Sequence, residues 1–400
     1  MSSALFVVLV LPPLAALHHY VWRRMIRDTT TRGSRTRRAA TALLILLGVL
    51  LVAAPPGERM LPKPLASALG WPGFLWMAGI LYLGIALLAG EAIRPLLLRV
   101  LRRRAERVAP VANGERGKEG RITTDPSRRL FVCRSVALAA GAAAGAAVAS
   151  GARTALGPPR LERITIPLSR LDPAAHGFRL VLLGDLHINA LSGRGRTALI
   201  VDMINAVRPD MVAIVGDLVE DGDVADLGTV AEPLGELRAP HGSFFVTGNH
   251  EHFSGARQWI DFVGRLGIRT LENERVSLPG FDLAGVNDVS GEEYGEGPDY
   301  EAALGGLEPD RAVILLAHQP VQVHEATRYG VDLQLSGHTH GGQLWPFNHL
   351  VGLANPTVAG LDSYGDTQLF VTRGTGFWGP PVRLGVPPEI NVIDLAATRA

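Results

Sequence analysis

Four short turns in this 400-residue chain carry residues with the makings of a metal site. They are Gly184-Asp185-Leu186-His187, Gly216-Asp217-Leu218-Val219, Gly248-Asn249-His250-Glu251 and Ser336-Gly337-His338-Thr339-His340-Gly341-Gly342-Gln343, with a lone His318 between the third and the last. Carboxylate, imidazole and amide oxygen together suit manganese, iron or zinc better than the thiolate-rich sets of structural zinc. With so many ligands, and an Asp available to bridge, the natural reading is two divalent ions a few ångströms apart. Such a pair clamps both oxygens of a phosphoryl displacement.

Something must hold these turns together. Each follows a short apolar, β-branched run, at 178–183, 211–215, 243–247, 312–317 and 331–335, which predicts buried strands with polar residues at their C-terminal ends. In open α/β sheets the site sits at those ends. Residues 281–286 read as a further strand, and 163–168 as an edge strand, the place where Pro167 is tolerated. Helices are predicted at 194–207 (Leu199, Ile200, Met203, Ile204 and Val207 inward), 227–237, 254–266 (Trp259, Phe262 and Val263 inward) and 300–304. Glu220, Asp221 and Asp223 read as a solvated acidic loop and His252 as a surface histidine, while Glu251 is placed to orient His250 or a ligand.

The ordered elements D-x-H, G-D, G-N-H-[DE], H and G-H-x-H resemble the calcineurin-like metallophosphoesterase family over roughly residues 160 to 395. That resemblance implies an α/β fold, a β-sandwich flanked by helices. It also implies a first metal on Asp185, His187, Asp217 and His340, with Asp217 bridging to a second held by Asn249, His318 and His338. His250 then matches the family's non-ligand histidine, which contacts the phosphate and donates a proton to the leaving oxygen. The stretches Gln343-Leu344-Trp345-Pro346-Phe347 and Gly374 to Arg383, followed by Pro388-Glu389-Ile390, resemble the membrane-associated YkuE-like or YaeI-like branch. Trp345, Phe347, Phe377 and Trp378 are expected to form an apolar rim at the mouth of the site.

Composition divides the chain. Residues 1–152 are rich in Leu, Ala and Arg and read as a multi-pass α-helical membrane region with about four spans, at 3–22, 39–55, 72–90 and 135–152. Residues 153–160 read as a linker and 161–396 as the globular domain. The formal net charge of +1 hides a basic first part and an acidic second part. Arginines crowd the connections at 23–38 and 91–134, so the positive-inside rule places the 56–71 loop, and the globular domain if the fourth segment spans, outside the cytoplasm. Ser127-Arg128-Arg129-Leu130-Phe131 before an Ala/Gly-rich run also resembles a twin-arginine export signal, which leaves the domain on the same side. The single cysteine, Cys133, excludes an internal disulfide framework.

These readings predict a membrane-anchored phosphoesterase that acts on a phosphodiester or pyrophosphate bond, with membrane lipids or a lipid-linked phosphate as its partner. The alternative is a membrane sensor or scaffold that binds an anionic ligand through the metal site without hydrolysing it. A nucleic-acid substrate is not expected, because the globular part lacks the clustered Lys and Arg that phosphate backbones require.

Overall fold

The computed structural model describes residues 3–108 and 126–398. The chain divides into two compact units, Met1–Ala53 with Pro72–Ala149, and Ala54–Trp71 with Ser150–Ala400. Its first four helices are α1 (Ser3–Val21), α2 (Arg35–Met60), α3 (Lys63–Val108) and α4 (Pro126–Leu156). Among the described residues, Arg35–Met60, Lys63–Val100 and Arg129–Leu156 are long and apolar enough to cross a membrane. Both middle helices outrun their apolar stretches. Helix α2 continues through Pro55-Pro56, and α3 continues past residue 90 because Leu, Arg, Ala and Glu are good helix formers. Residues 109–125, part of the basic connection, lie outside the described residues, as do the side chains of Ser127 and Arg128.

Within the first unit, Trp76 donates its indole N–H to Nε2 of His18 (3.1 Å), and Arg24 Nη2 donates to Glu91 Oε2 (2.9 Å). Each satisfies a polar group among apolar neighbours.

The second unit is a sandwich of two six-stranded mixed sheets. Its elements in chain order are β1 (Arg160–Leu168), β2 (Arg179–Leu183), α5 (Arg194–Ala206), β3 (Met211–Val215), α6 (Val224–Ala231), β4 (Ser243–Val246), α7 (Asn249–Phe253), α8 (Ala256–Arg265), β5 (Arg269–Thr270), β6 (Glu274–Leu278), β7 (Phe281–Gly285), α9 (Tyr300–Leu304), β8 (Ala312–Leu316), β9 (Leu333–Ser336), β10 (Gly360–Tyr364), β11 (Thr367–Val371) and β12 (Glu389–Ala397). One sheet runs β1-β12-β2-β3-β4-β5 and the other β10-β11-β9-β8-β7-β6. In the first, β2, β3, β4 and β5 are parallel; in the second, β11, β9, β8 and β7 are.

Alternation along each strand divides the core. Leu180 and Leu182 face the opposite sheet and meet Phe281, Ile314 and Leu335, while Val181 and Leu183 face Ile200, Ile204, Trp259 and Val263 of the covering helices. Each such leucine contributes roughly 1.5–3 kcal/mol on burial. The edge position of β1 and the strands at 179–183, 211–215, 243–246, 312–316 and 333–336 match the sequence pattern. Strands β5, β6, β10 and β11 are absent from that pattern, and three further elements differ from it. The helix expected at 227–237 is α6 followed by a 3-10 turn at Glu232–Glu236, because Pro233 cannot continue an α-helix. On α5, Val201 rather than Leu199 is buried, and Leu199 is 40% exposed. Strand β12, which follows Pro387-Pro388, fills the gap between β1 and β2.

Candidate metal centre

Every motif residue lies just beyond a strand end. Asp185 and His187 follow β2, Asp217 follows β3, Asn249 and His250 open α7 after β4, His318 follows β8, and His338 and His340 follow β9. Both sheets therefore deliver donors to one edge of the sandwich. The turns that do so are strained. Asp185, His187, Asp217, His338 and His340 all have φ between 45° and 71°, a left-handed conformation that costs a non-glycine residue of order 1–3 kcal/mol. Only Arg208 and Asn273 share that range among the other described non-glycine residues, with Gln343 at a φ of 36°. The strain aims side chains inward that regular backbone would turn away.

The donors form a continuous cluster. Asp185, His187 and His340 make one group, His187, Asp217 and His250 a second, and Asp217, His318 and His338 a third, with donor atoms in each group within 4.8 Å of one another. The middle group shares a member with each of the others. Nε2 of His340 lies 2.9 Å from Nε2 of His187 and 3.5 Å from Asp185 Oδ1. Asn249 Oδ1 lies 3.1 Å from His318 Nε2 and 3.0 Å from His338 Nδ1. Between the two halves, Asp217 Oδ2 sits 3.5 Å from His187 Nε2 and 3.2 Å from His318 Nε2.

These residues fit a pair of divalent ions. Asp185 Oδ2 is buried with no hydrogen-bond partner, and the set is carboxylate, amide oxygen and imidazole throughout. Burial, reinforced by neighbouring imidazoles, holds His187 and His340 well below the usual histidine range and brings His338 down to about 4. These three rings are therefore neutral at neutral pH. Burial opposes the charge on Asp217, but His318 and His250 around it hold its carboxyl well below the usual range.

A second layer fixes the first. Glu251 accepts from the backbone N–H groups of Asp217 (2.9 Å), Leu218 (2.8 Å) and Gly248 (2.7 Å), which latches the β3 turn to the β4 turn. His318 Nδ1 donates to the carbonyl of Val215 (2.8 Å). His250 Nδ1 donates to the carbonyl of Glu220, which leaves Nε2 for the site. Burial opposes protonation of His250, yet Asp217 and that carbonyl raise its pKa above the ordinary value.

Three residues differ from the sequence reading or escaped it. Glu220 is not solvated but 4% exposed, and accepts from Asn189 Nδ2 (2.7 Å) and Gly379 N–H (2.8 Å). His252 is buried too, its Nε2 3.2 Å from Thr247 Oγ1. Arg383, fully buried, donates to the carbonyls of Gly376 (2.7 Å) and Arg373 (2.8 Å), and its Nη2 lies 3.0 Å from His340 Nδ1. Of the expected rim, Trp345, Phe347 and Trp378 are exposed, but Phe377 is a core residue at 3%.

Close packing makes one glycine a sensitive probe. A Cβ on Gly248 would stand 2.3 Å from Asp217 Oδ1 and 2.6 Å from the Asp217 backbone nitrogen. Gly248→Ala is expected to displace Asp217 and lower kcat roughly 100-fold, the effect of an ångström-scale misplacement. Steady-state rates at saturating manganese, with circular dichroism to confirm folding, check this.

Residues 178–342 match the family model for calcineurin-like phosphoesterases. An uncharacterized metallophosphoesterase of Aquifex aeolicus is 34% identical over 241 residues, covering 59% of this chain and 91% of that protein. The chain belongs to the metallophosphoesterase family. A Bacillus subtilis member, YkuE, is 31% identical over 241 residues, 58% of this chain and 84% of that one. A cattle protein named as a transmembrane protein with a metallophosphoesterase domain is 39% identical over 264 residues, 62% of this chain. The match spans 59% of the cattle protein's length. The metallophosphoesterase match at 178–342 includes every donor described above, while Trp345, Phe347, Trp378 and Arg383 lie beyond it.

Proposed function

We propose that the chain is a membrane-anchored, dinuclear-metal phosphoesterase that cleaves phosphodiester or pyrophosphate bonds in a lipid-linked or envelope molecule outside the cytoplasm. The observation that carries the reading is the position of Asp217 Oδ2 between His187 and His318, which joins two donor clusters into one site. Asp185, His187, Asp217 and His340 would hold one ion, and Asp217, Asn249, His318 and His338 the other. When bound, the ions would supply Lewis acidity, neutralising the phosphate and activating a water. His250 turns Nε2 to the site and gives its proton to the leaving oxygen. Three apolar helices and the exposed Trp345, Phe347 and Trp378 support a membrane setting and an apolar substrate portion. The Arg-rich connection at 23–38 supports the extracytoplasmic placement.

The test uses the full chain in detergent, because Ala54–Trp71 belongs to the same compact unit as the site. Chromogenic phosphomonoesters and phosphodiesters are offered with manganese and with a chelator. The expected result is diester turnover that the chelator abolishes and manganese restores. A folded, metal-loaded protein that binds phosphate but hydrolyses neither ester would instead be a binding scaffold.

A further inference from the structure

Two exposed aromatic rings lie on segments linked to His250, one through α7 and one through Glu220. Phe253, in α7 with His250, sets its ring against that imidazole, centroids 5.5 Å apart, yet stays 46% exposed. Trp378 is 55% exposed on a loop that is firmly held. Its backbone N–H donates to Gln343 Oε1 (2.9 Å) and its carbonyl accepts from Gln343 Nε2 (2.8 Å), while the next N–H, of Gly379, donates to Glu220. Glu220 is also the residue whose carbonyl receives the Nδ1–H of His250. One buried residue thus holds the proton donor through its backbone and the indole loop through its side chain.

Rings left in water on a rigid frame are poor core material and good ligand contacts. Asp221, the residue after Glu220, pairs with Arg59 at 2.8 Å.

The geometry points to an apolar leaving-group subsite in which Phe253, against the His250 imidazole, and Trp378, on the loop that Glu220 ties down, take the hydrocarbon of the departing alcohol and select phosphoesters of lipid-like alcohols. This rests on the phosphoesterase reading above. The step is a hydrolysis. The P–O bond to the alcohol breaks, a water oxygen bonds to phosphorus, and His250 gives its proton to the departing oxygen and regains one from that water. The products are the free alcohol and the phosphate fragment.

The experiment measures kcat/KM of the full chain in lipid nanodiscs on n-alkyl phosphates and on methyl n-alkyl phosphodiesters whose leaving alcohol is ethyl, butyl, hexyl or octyl, with the freed alcohol quantified. In the unaltered chain kcat/KM should rise with length, by up to about fourfold per CH2 at roughly 0.8 kcal/mol for each buried methylene. In Phe253→Ala and Trp378→Ala, both at exposed positions that a folded chain tolerates, the octyl-to-ethyl ratio should fall at least tenfold. Turnover with no length dependence, or a ratio unchanged in both variants, overturns the subsite and leaves the phosphoesterase standing. Failure to hydrolyse any ester overturns the phosphoesterase reading itself.

Discussion

Asp217→Asn is expected to lower metal-dependent phosphoester hydrolysis at least about 1,000-fold, with loss of bound metal from both halves of the site. The substitution is isosteric, and the amide oxygen can still accept the His250 backbone N–H that Asp217 Oδ1 now receives at 3.0 Å. The turn therefore keeps its shape and only the charge is lost. That charge faces His187 on one side and His318 on the other through the same oxygen, so both clusters lose their common anion. Metal ions contribute several kcal/mol of charge stabilisation in the transition state, and about 4 kcal/mol corresponds to three decades of rate. A second readout needs no turnover. Ions present at about 100 times their dissociation constant stabilise the folded state by about 2.7 kcal/mol, a rise of roughly 5–10 °C in the melting temperature of a domain of this size. The Asn variant should lose most of that rise while its metal-free melting point stays close to that of the unaltered chain. An Asn variant that still bound metal and turned over at the normal rate would remove Asp217 from the centre of the site.

The donor set was legible because each donor follows directly on an apolar run, and both halves of that signal are local. Strand ends needed no distant partner to be recognised, as β2 and Asp185 illustrate. What supports the donors was not local. Glu220 reads as one of three acidic residues in a polar loop, and its burial depends on Gly379, whose N–H comes from 159 residues further along. Arg383 is a cation between apolar residues, and the backbone carbonyls that make its burial tolerable lie at Arg373 and Gly376. His252 is covered through a stack with Tyr294, centroids 6.1 Å apart, across the loop that follows β7. Neighbours such as Phe377 and Trp378 have similar chemistry, and which of them is buried depends on the path of a loop tied to Gln343. The left-handed turns at five donor positions had no compositional sign either. Asp and His are, with Asn, the non-glycine residues enriched there, but they occur far more often in ordinary backbone, so their presence alone marks no turn.

His250→Gln should separate chemistry from metal binding. Three donor groups overlap in this site, and His250 belongs to one of them, with His187 and Asp217. If His250 is the proton donor, the Gln variant keeps its full complement of metal while kcat falls by about 100- to 10,000-fold, the usual range for loss of a general acid. The loss should also depend on the substrate. Nitrophenolate leaves without much help from a proton, whereas an alkoxide needs it, so the deficit should be small with a nitrophenyl ester and large with an alkyl ester. Glu220 holds Nδ1 of His250 through a backbone carbonyl that no side-chain substitution removes, so the ring's orientation in the unaltered chain is fixed by the fold itself. Equal losses with both leaving groups, accompanied by loss of metal, would make His250 a ligand and move the proton donor elsewhere.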